Sequence, residues 1–197
     1  MSIAAYLVCH RGRSLFGLGK PLRPPSGGIR AFSSASHSDE FVDPIFARSL
    51  WKYLSDCPAD DLSLHFDSDP EFDDIAEYRE IGGDVEDGDL PLADYLAGEP
   101  EEPVAYRAKL RDGHPRSDPS GIVRRRGADA QVDEAFTRNL RWEPTEFLRR
   151  AELGLDDTDH IEISEAEAVA FVLRLLAARL RPGWPQNRRG VSASQRA

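Results

Sequence analysis

Residues 159–180 read DHIEISEAEAVAFVLRLLAARL, and this run states its own structure. His160 to Ile163 alternates polar and apolar residues, the pattern of a half-buried strand. Ser164 stands three residues before Glu167, the spacing of a capping box, in which each residue satisfies the other's free backbone N–H. Ala168, Phe171, Val172, Leu175, Leu176 and Leu180 then recur at helical spacing, and Pro182-Gly183 stops the helix. A stripe this wide has to be covered, so the rest of the chain must supply strands or helices to bury it.

Working back toward the N-terminus, Val104–Leu110 alternates as a strand, and Ile122–Arg126 can return as its hairpin partner across a turn from Asp112 to Gly121. Val132–Trp142 suits a helix or a strand about equally. Pro144 opens a helix carrying Phe147, Leu148 and Ala151, with Gly154 at its C-terminal turn. Gly98-Glu-Pro-Glu-Glu-Pro103 is polar, Pro-broken and without apolar anchors, which marks a linker.

Before the linker, Ala4–His10 reads as a buried strand, Leu15–Leu18 as its partner, and Ile29–Phe32 as a third apolar piece. Asp43-Pro44 begins a helix through Asp56, with Asp as N-cap and Pro at the first position. Leu62–Phe66 alternates as a strand. Asp69-Pro70 opens a shorter helix with Phe72, Ile75 and Ala76 inward and Asp73, Asp74, Glu77 and Glu80 outward. Asp84–Asp89 is an acidic loop, and Pro91–Leu96 allows one or two further helical turns. The expected fold is α+β, with short mixed or antiparallel sheets and flanking helices in two small halves. Residues 1–98 form the first half, 104–182 the second, and 183–197 a tail.

The chain has 197 residues, 40% of them apolar, which is enough for a real core. No apolar run reaches the 18 residues a membrane-spanning helix needs. Two cysteines, Cys9 and Cys57, are too few for a disulfide scaffold, so a reducing compartment and two separate core thiols are expected. Arg outnumbers Lys by 22 to 3, a bias that suits a GC-rich bacterial genome. Residues 1–38 contain no acid and many serines, the composition of a mitochondrial transit peptide. The strand pattern from Ala4 and the prolines at 21, 24 and 25 oppose that alternative and favour the cytoplasm.

Charge is segregated along the chain. Residues 1–55 carry a net +4 and residues 104–197 a net +3, whereas residues 56–103 hold eighteen acids against Arg79, for −17. So local a field attracts a basic partner and speeds its arrival. Asp67, Asp69, Glu71 and Asp73 alternate as calcium-loop ligands do. The position that needs Gly is Phe72, however, and the one that needs Glu is Tyr78. Asp84, Glu86, Asp87 and Asp89 misplace their Gly as well.

Cys9, His10, Cys57 and His65 are suitable metal ligands by type but lack paired Cys or His spacing, so no metal and no cofactor is expected. Gly17-x-Gly19-Lys20 is not a phosphate loop, and five scattered histidines suggest no nucleophilic constellation. Arg124-Arg125-Arg126, Arg149-Arg150 and Arg188-Arg189, with Trp142 as a possible stacking ring, are interleaved with acids. A nucleic-acid partner is therefore not expected.

Tyr6-Leu-Val-Cys-His, Leu18-Gly-Lys, Leu50-Trp-Lys-Tyr-Leu and Ile81-Gly-Gly-Asp together resemble a group of small actinobacterial proteins of unknown function. Trp142-Glu-Pro-Thr to Glu162-Ile-Ser-Glu-Ala-Glu-Ala is similar in style to modules of other such proteins. Members of the group tend to show Cys-His-x-Cys near the start, and Gly12 stands here at the last position. The resemblance implies a bacterial cytosolic protein and brings no activity with it.

The reading that follows is a non-catalytic acidic module that binds a basic protein, in its most concrete form an immunity-type inhibitor or antitoxin. The expected surface comprises Asp67, Asp69, Glu71, Phe72, Asp73, Asp74, Tyr78, Asp84, Glu86, Asp87, Asp89 and Tyr95. The alternative is a hydrolase-like enzyme that uses carboxylates of the same segment with a divalent cation.

Overall fold

The computed structural model describes residues 3–22, 31–33, 43–83, 85–100, 102–110, 115–116, 118–127 and 132–179. The tail after Arg179, the stop at Pro182-Gly183 and Asp84 lie outside the described residues. The fold is α+β. Its first sheet joins β1 (Ala5–Cys9), β2 (Ser14–Gly19), β5 (Leu62–Phe66) and β6 (Arg79–Ile81) in the order β5-β1-β2-β6. Only the β2–β6 pair is parallel. Two short strands, β3 (Pro21–Leu22) and β4 (Ala31–Phe32), make a separate antiparallel ribbon.

The second sheet is antiparallel throughout. It holds β7 (Val104–Lys109), β8 (Gly121–Arg126), β9 (Val132–Phe136), β10 (Trp142–Pro144) and β11 (His160–Ile163) in the order β10-β9-β8-β7-β11. The helices are α1 (Pro44–Asp56), α2 (Leu92–Tyr95), α3 (Phe147–Glu152) and α4 (Glu165–Arg179).

Through Arg179 the stretch 159–180 folds as its pattern requires, and Leu180 lies outside the described residues. Ser164 N–H donates to Glu167 Oε2 at 2.8 Å, and Glu167 N–H donates to Ser164 Oγ at 3.2 Å, closing the capping box. Arg116 holds the Glu167 carboxyl down at about 2, with help from the Ser164 N–H. The buried face of α4 is wider than the sequence stripe: Val169 and Leu173 are buried too, because α1, β4 and β7 all contact the helix. At α1, Asp43 Oδ1 accepts the Ile45 N–H at 2.8 Å and Pro44 occupies the first turn, as expected.

α1 is buried on two sides. Phe46 and Tyr53 stack on Phe16 of β2, with ring centroids 5.4 and 5.2 Å away. The Tyr53 hydroxyl lies 3.1 Å from Leu7 O and 2.9 Å from Ser14 O, so one proton serves two strands. Burial pushes that phenol up to about 12. On the other side Trp51 enters a cluster with Tyr106, Phe136 and Trp142 of the second sheet. Glu165 Oε1 accepts from both Trp51 Nε1 and the Tyr106 hydroxyl, each at 3.0 Å. One buried cluster thus runs from Ala5 through α1 to Ala177. The linker between the halves carries no regular element among its described residues.

Three sequence expectations need correction. Asp69-Pro70 does not open an α-helix. The chain makes a 3₁₀ turn at Phe72–Asp74 and further turns to Tyr78, leaving Ala76 exposed and Glu80 half-buried in β6. Pro144 ends β10 rather than starting a helix, which begins only at Phe147. Cys9 and Cys57 are not separate thiols: they are joined as a disulfide, with Cα atoms 6.0 Å apart. The bond ties the end of β1 to the C-cap of α1 across 48 residues of sequence.

Closing a loop of that length restricts the unfolded chain by about 4 kcal/mol on the chain-entropy account. Cys9→Ser/Cys57→Ser should therefore lose about 2–4 kcal/mol of stability in urea, and a reductant should lower the melting temperature of the parent but not of the variant. An unchanged melting temperature on reduction would rule out this cross-link.

Candidate functional site

The two faces of the first sheet differ because strand residues alternate. Ala5, Leu7, Cys9, Phe16, Leu18, Leu62 and Ile81 face α1 and the main core. The opposite face shows Tyr6, Val8, Leu15 and Glu80 together with His10, Ser63 and His65. Across its middle lies the acidic segment, whose Phe72, Ile75 and Tyr78 close a small second core over Val8 and Leu15. Phe72 packs on Tyr6 at 5.2 Å, and the Arg13 guanidinium lies 4.7 Å over the Tyr78 ring.

This strap therefore has an apolar underside and an acidic outer surface. Asp67, Glu71, Asp73, Asp74 and Glu77 are exposed, as is Asp87 beyond β6. None of these six carboxylates enters an ion pair among the described residues. Three acids accept backbone N–H groups: Asp67 Oδ2 from Ala4 at 3.0 Å, Asp69 Oδ2 from Phe66 at 2.8 Å, and Asp89 Oδ1 from Glu80 at 2.9 Å. Gly83 sits against the Asp89 side chain so closely that a Cβ there would collide with it. Burial, then the nearby Asp89 charge, raises the Glu80 carboxyl above its ordinary range.

The predicted surface is thus divided. Asp67, Asp69, Glu71, Asp73 and Asp74 come together on the strap. Phe72 and Tyr78 are half-buried beneath it as its anchors. Asp87 and Asp89 follow in the next loop. Asp84 lies outside the described residues, and so does the side chain of Glu86. Tyr95 stands elsewhere, beside α1, where its hydroxyl donates to Asp56 Oδ2 at 2.7 Å under the Lys52 ammonium.

At the margin of the strap, strand pairing assembles a group that sequence spacing conceals. Val8 pairs with Ser63 and Tyr6 with His65, which carries the side chain of His10, just past β1, to Ser63. Ser63 Oγ lies 2.8 Å from His10 Nε2 and 3.0 Å from His65 Nε2. A hydroxyl has one proton, so it donates to one imidazole and must accept from the other. His65 Nδ1 faces Asp69 Oδ2 at 3.9 Å. A proton on Nδ1 is favoured there, which leaves Nε2 to accept from Ser63 and assigns the donor role to His10. Burial, outweighing the Asp69 charge, holds the His65 imidazole below its usual value. The only sequence trace of this group is the alternation Ser63-x-His65.

The ligand types noted in the sequence also separate. Cys9 and Cys57 face the core, while His10 and His65 lie on the opposite face. The group of metal-capable side chains found among the described residues is Cys9, Cys57 and Asp61; carboxylates of the strap, Asp67 to Glu80, form none among the described residues.

The three arginines of β8 are engaged internally. Arg124 and Arg126 bind Glu134 Oε2 at 2.7 and 2.9 Å, and Arg125 bridges Asp133 and Glu152, each at 2.6 Å. Arg124 also lies 4.5 Å over the ring of Trp142, which is packed in the aromatic cluster and so is not a free stacking surface. Arg188-Arg189 lie outside the described residues. No helix among the described residues is long and apolar enough to cross a membrane. Compared with protein-family models, curated proteins and solved structures, the chain matches none.

Titration of His65 checks this arrangement. Its NMR midpoint should fall below the ordinary 6.5, and Asp69→Asn, which removes the charge that opposes the shift, should lower it further. The neutral ring is the form that the fold favours. Its contribution to stability is complete above the ordinary midpoint and declines as pH falls through the depressed one.

Proposed function

We propose that the protein is a non-catalytic module that binds a basic protein through the acidic strap, in the manner of an immunity-type inhibitor or antitoxin covering a cationic cleft. The observation that carries this is the contrast between its two sets of charges. The arginines of the second sheet are neutralised within the fold, whereas Glu71, Asp73, Asp74 and Glu77 stand outward with no counter-ion among the described residues. They do so on a segment pinned to the sheet by Phe72, Ile75 and Tyr78. Charge held on an anchored scaffold steers a partner without first having to be ordered. The strap replaces the twelve-residue surface expected from sequence, since Tyr95 lies apart from it. A bacterial cytoplasm is the proposed site of action.

The test is affinity purification of the tagged protein from its host at low and high salt, alongside Asp73→Asn/Asp74→Asn/Glu77→Gln. A stoichiometric basic protein should bind the parent, weaken with salt and be lost or strongly reduced on the variant. With that partner in hand, the variant's association rate at low salt should fall about tenfold or more. Equal recovery on parent and variant would overturn the proposal.

A second reading, a hydrolase, is supported by Ser63 rather than by the acidic segment. Ser63 Oγ would add to an acyl or phosphoryl centre while its proton passes to His65 Nε2 and on to the leaving group. A fluorophosphonate probe should then label Ser63 in the parent at mildly alkaline pH, with labelling abolished in Ser63→Ala and sharply reduced in His65→Ala. Absence of an adduct on Ser63 would dismiss this reading.

A further inference from the structure

Cys9, Cys57 and Asp61 offer two sulfurs and a carboxylate oxygen that lie within 4.8 Å of one another. We propose that, once its disulfide is reduced, this trio is a site for a single thiophilic divalent cation such as Zn²⁺, so that the Cys9–Cys57 bond gates metal binding. A tetrahedral zinc ion with sulfur ligands spaces its donors about 3.5–4 Å apart. The Cα atoms of the two cysteines stand 6.0 Å apart. Side-chain rotation alone can therefore open the bonded sulfurs to that spacing without moving β1 or α1.

The third donor is already in place. Asp61 Oδ2 lies 3.6 Å from Cys9 Sγ and is oriented by the Arg11 N–H, which donates to it at 2.6 Å. Such a partner to a ligating carboxylate is what metal sites use to aim their ligands. Gly12 packs against the sulfur: a Cβ at that position would lie 3.2 Å from Cys9 Sγ, closer than ordinary van der Waals contact, so any larger residue would press on the trio. Both cysteines are buried, at 5% and 1% exposure.

The chemistry balances with a thiol or phosphine reductant. Two electrons and two protons convert the disulfide into two thiols, and the reductant leaves as its disulfide or, with water supplying the oxygen, as its phosphine oxide. Cation binding then releases the two thiol protons. In the oxidised state the sulfurs are bonded to each other and the site is closed.

Cobalt(II) is the probe. Full-length protein reduced with a phosphine should show a sulfur-to-cobalt charge-transfer band that saturates at one equivalent and is displaced by Zn²⁺. Oxidised protein should show none. Cys57→Ser should lose the band's two-thiolate intensity. Asp61→Asn, which leaves both sulfurs and the disulfide intact, should keep a sulfur band but weaken affinity roughly tenfold or more. Reduced parent that stays folded by circular dichroism yet shows no band overturns the proposal. So does a band of equal affinity in Asp61→Asn, or one that is undiminished in oxidised protein.

Discussion

The burial of α1 on two sides at once is the constraint on which the structure depends. A helix against one sheet needs a single apolar stripe, but here Phe46, Leu50 and Tyr53 serve the first sheet while Trp51 serves the second. The Tyr53 hydroxyl bonds to strand backbones on one side, and Trp51 Nε1 bonds to Glu165 on the other. Both large side chains thus bury their polar atoms with partners, as removal from water demands. Without α1 the inner face of the first sheet and the aromatic cluster of the second would both stand in water.

That arrangement explains why the opposite face of the first sheet is left for other purposes. α1 takes the side bearing Leu7, Cys9 and Phe16. The far side is then too narrow in apolar residues for a helix, and it is covered by a short strap with three anchors, Phe72, Ile75 and Tyr78. The strap's remaining side chains are predominantly acids, and they point outward because the sheet below takes only the apolar anchors. The second sheet solves the opposite problem by pairing cross-strand Arg124, Arg125 and Arg126 with Asp133 and Glu134. The exposed acids of the strap therefore lie on the side of the first sheet away from α1.

The disulfide lies where these parts meet, between the end of β1 and the cap of α1. It fixes the helix to the sheet that carries the strap. Its partner Asp61 belongs to the turn that leads into β5, on which Ser63 and His65 are mounted. The two sides of the sheet are thus linked through a single short piece of chain.

Much of the fold was legible in the sequence where local rules act alone. The capping box at Ser164 and Glu167, the Asp43-Pro44 start, and the strands Leu62–Phe66 and His160–Ile163 all follow from spacing, because propensity and pattern agree there. The charge of the strap was legible for the same reason, being a property of composition. Spacing could not disclose the encounters between distant residues. Cys9 and Cys57 meet across 48 positions, and His10, Ser63 and Asp61 come together only because β5 pairs with β1 in one register. The Pro70 turn also failed as a helix for a tertiary reason: a strap that must lay Phe72, Ile75 and Tyr78 on a sheet uses three-residue spacing. The sequence by itself determined which segments could be strands, helices and charged surface. Which side chains became partners was decided by register and packing, since both act through space between residues that the chain keeps apart.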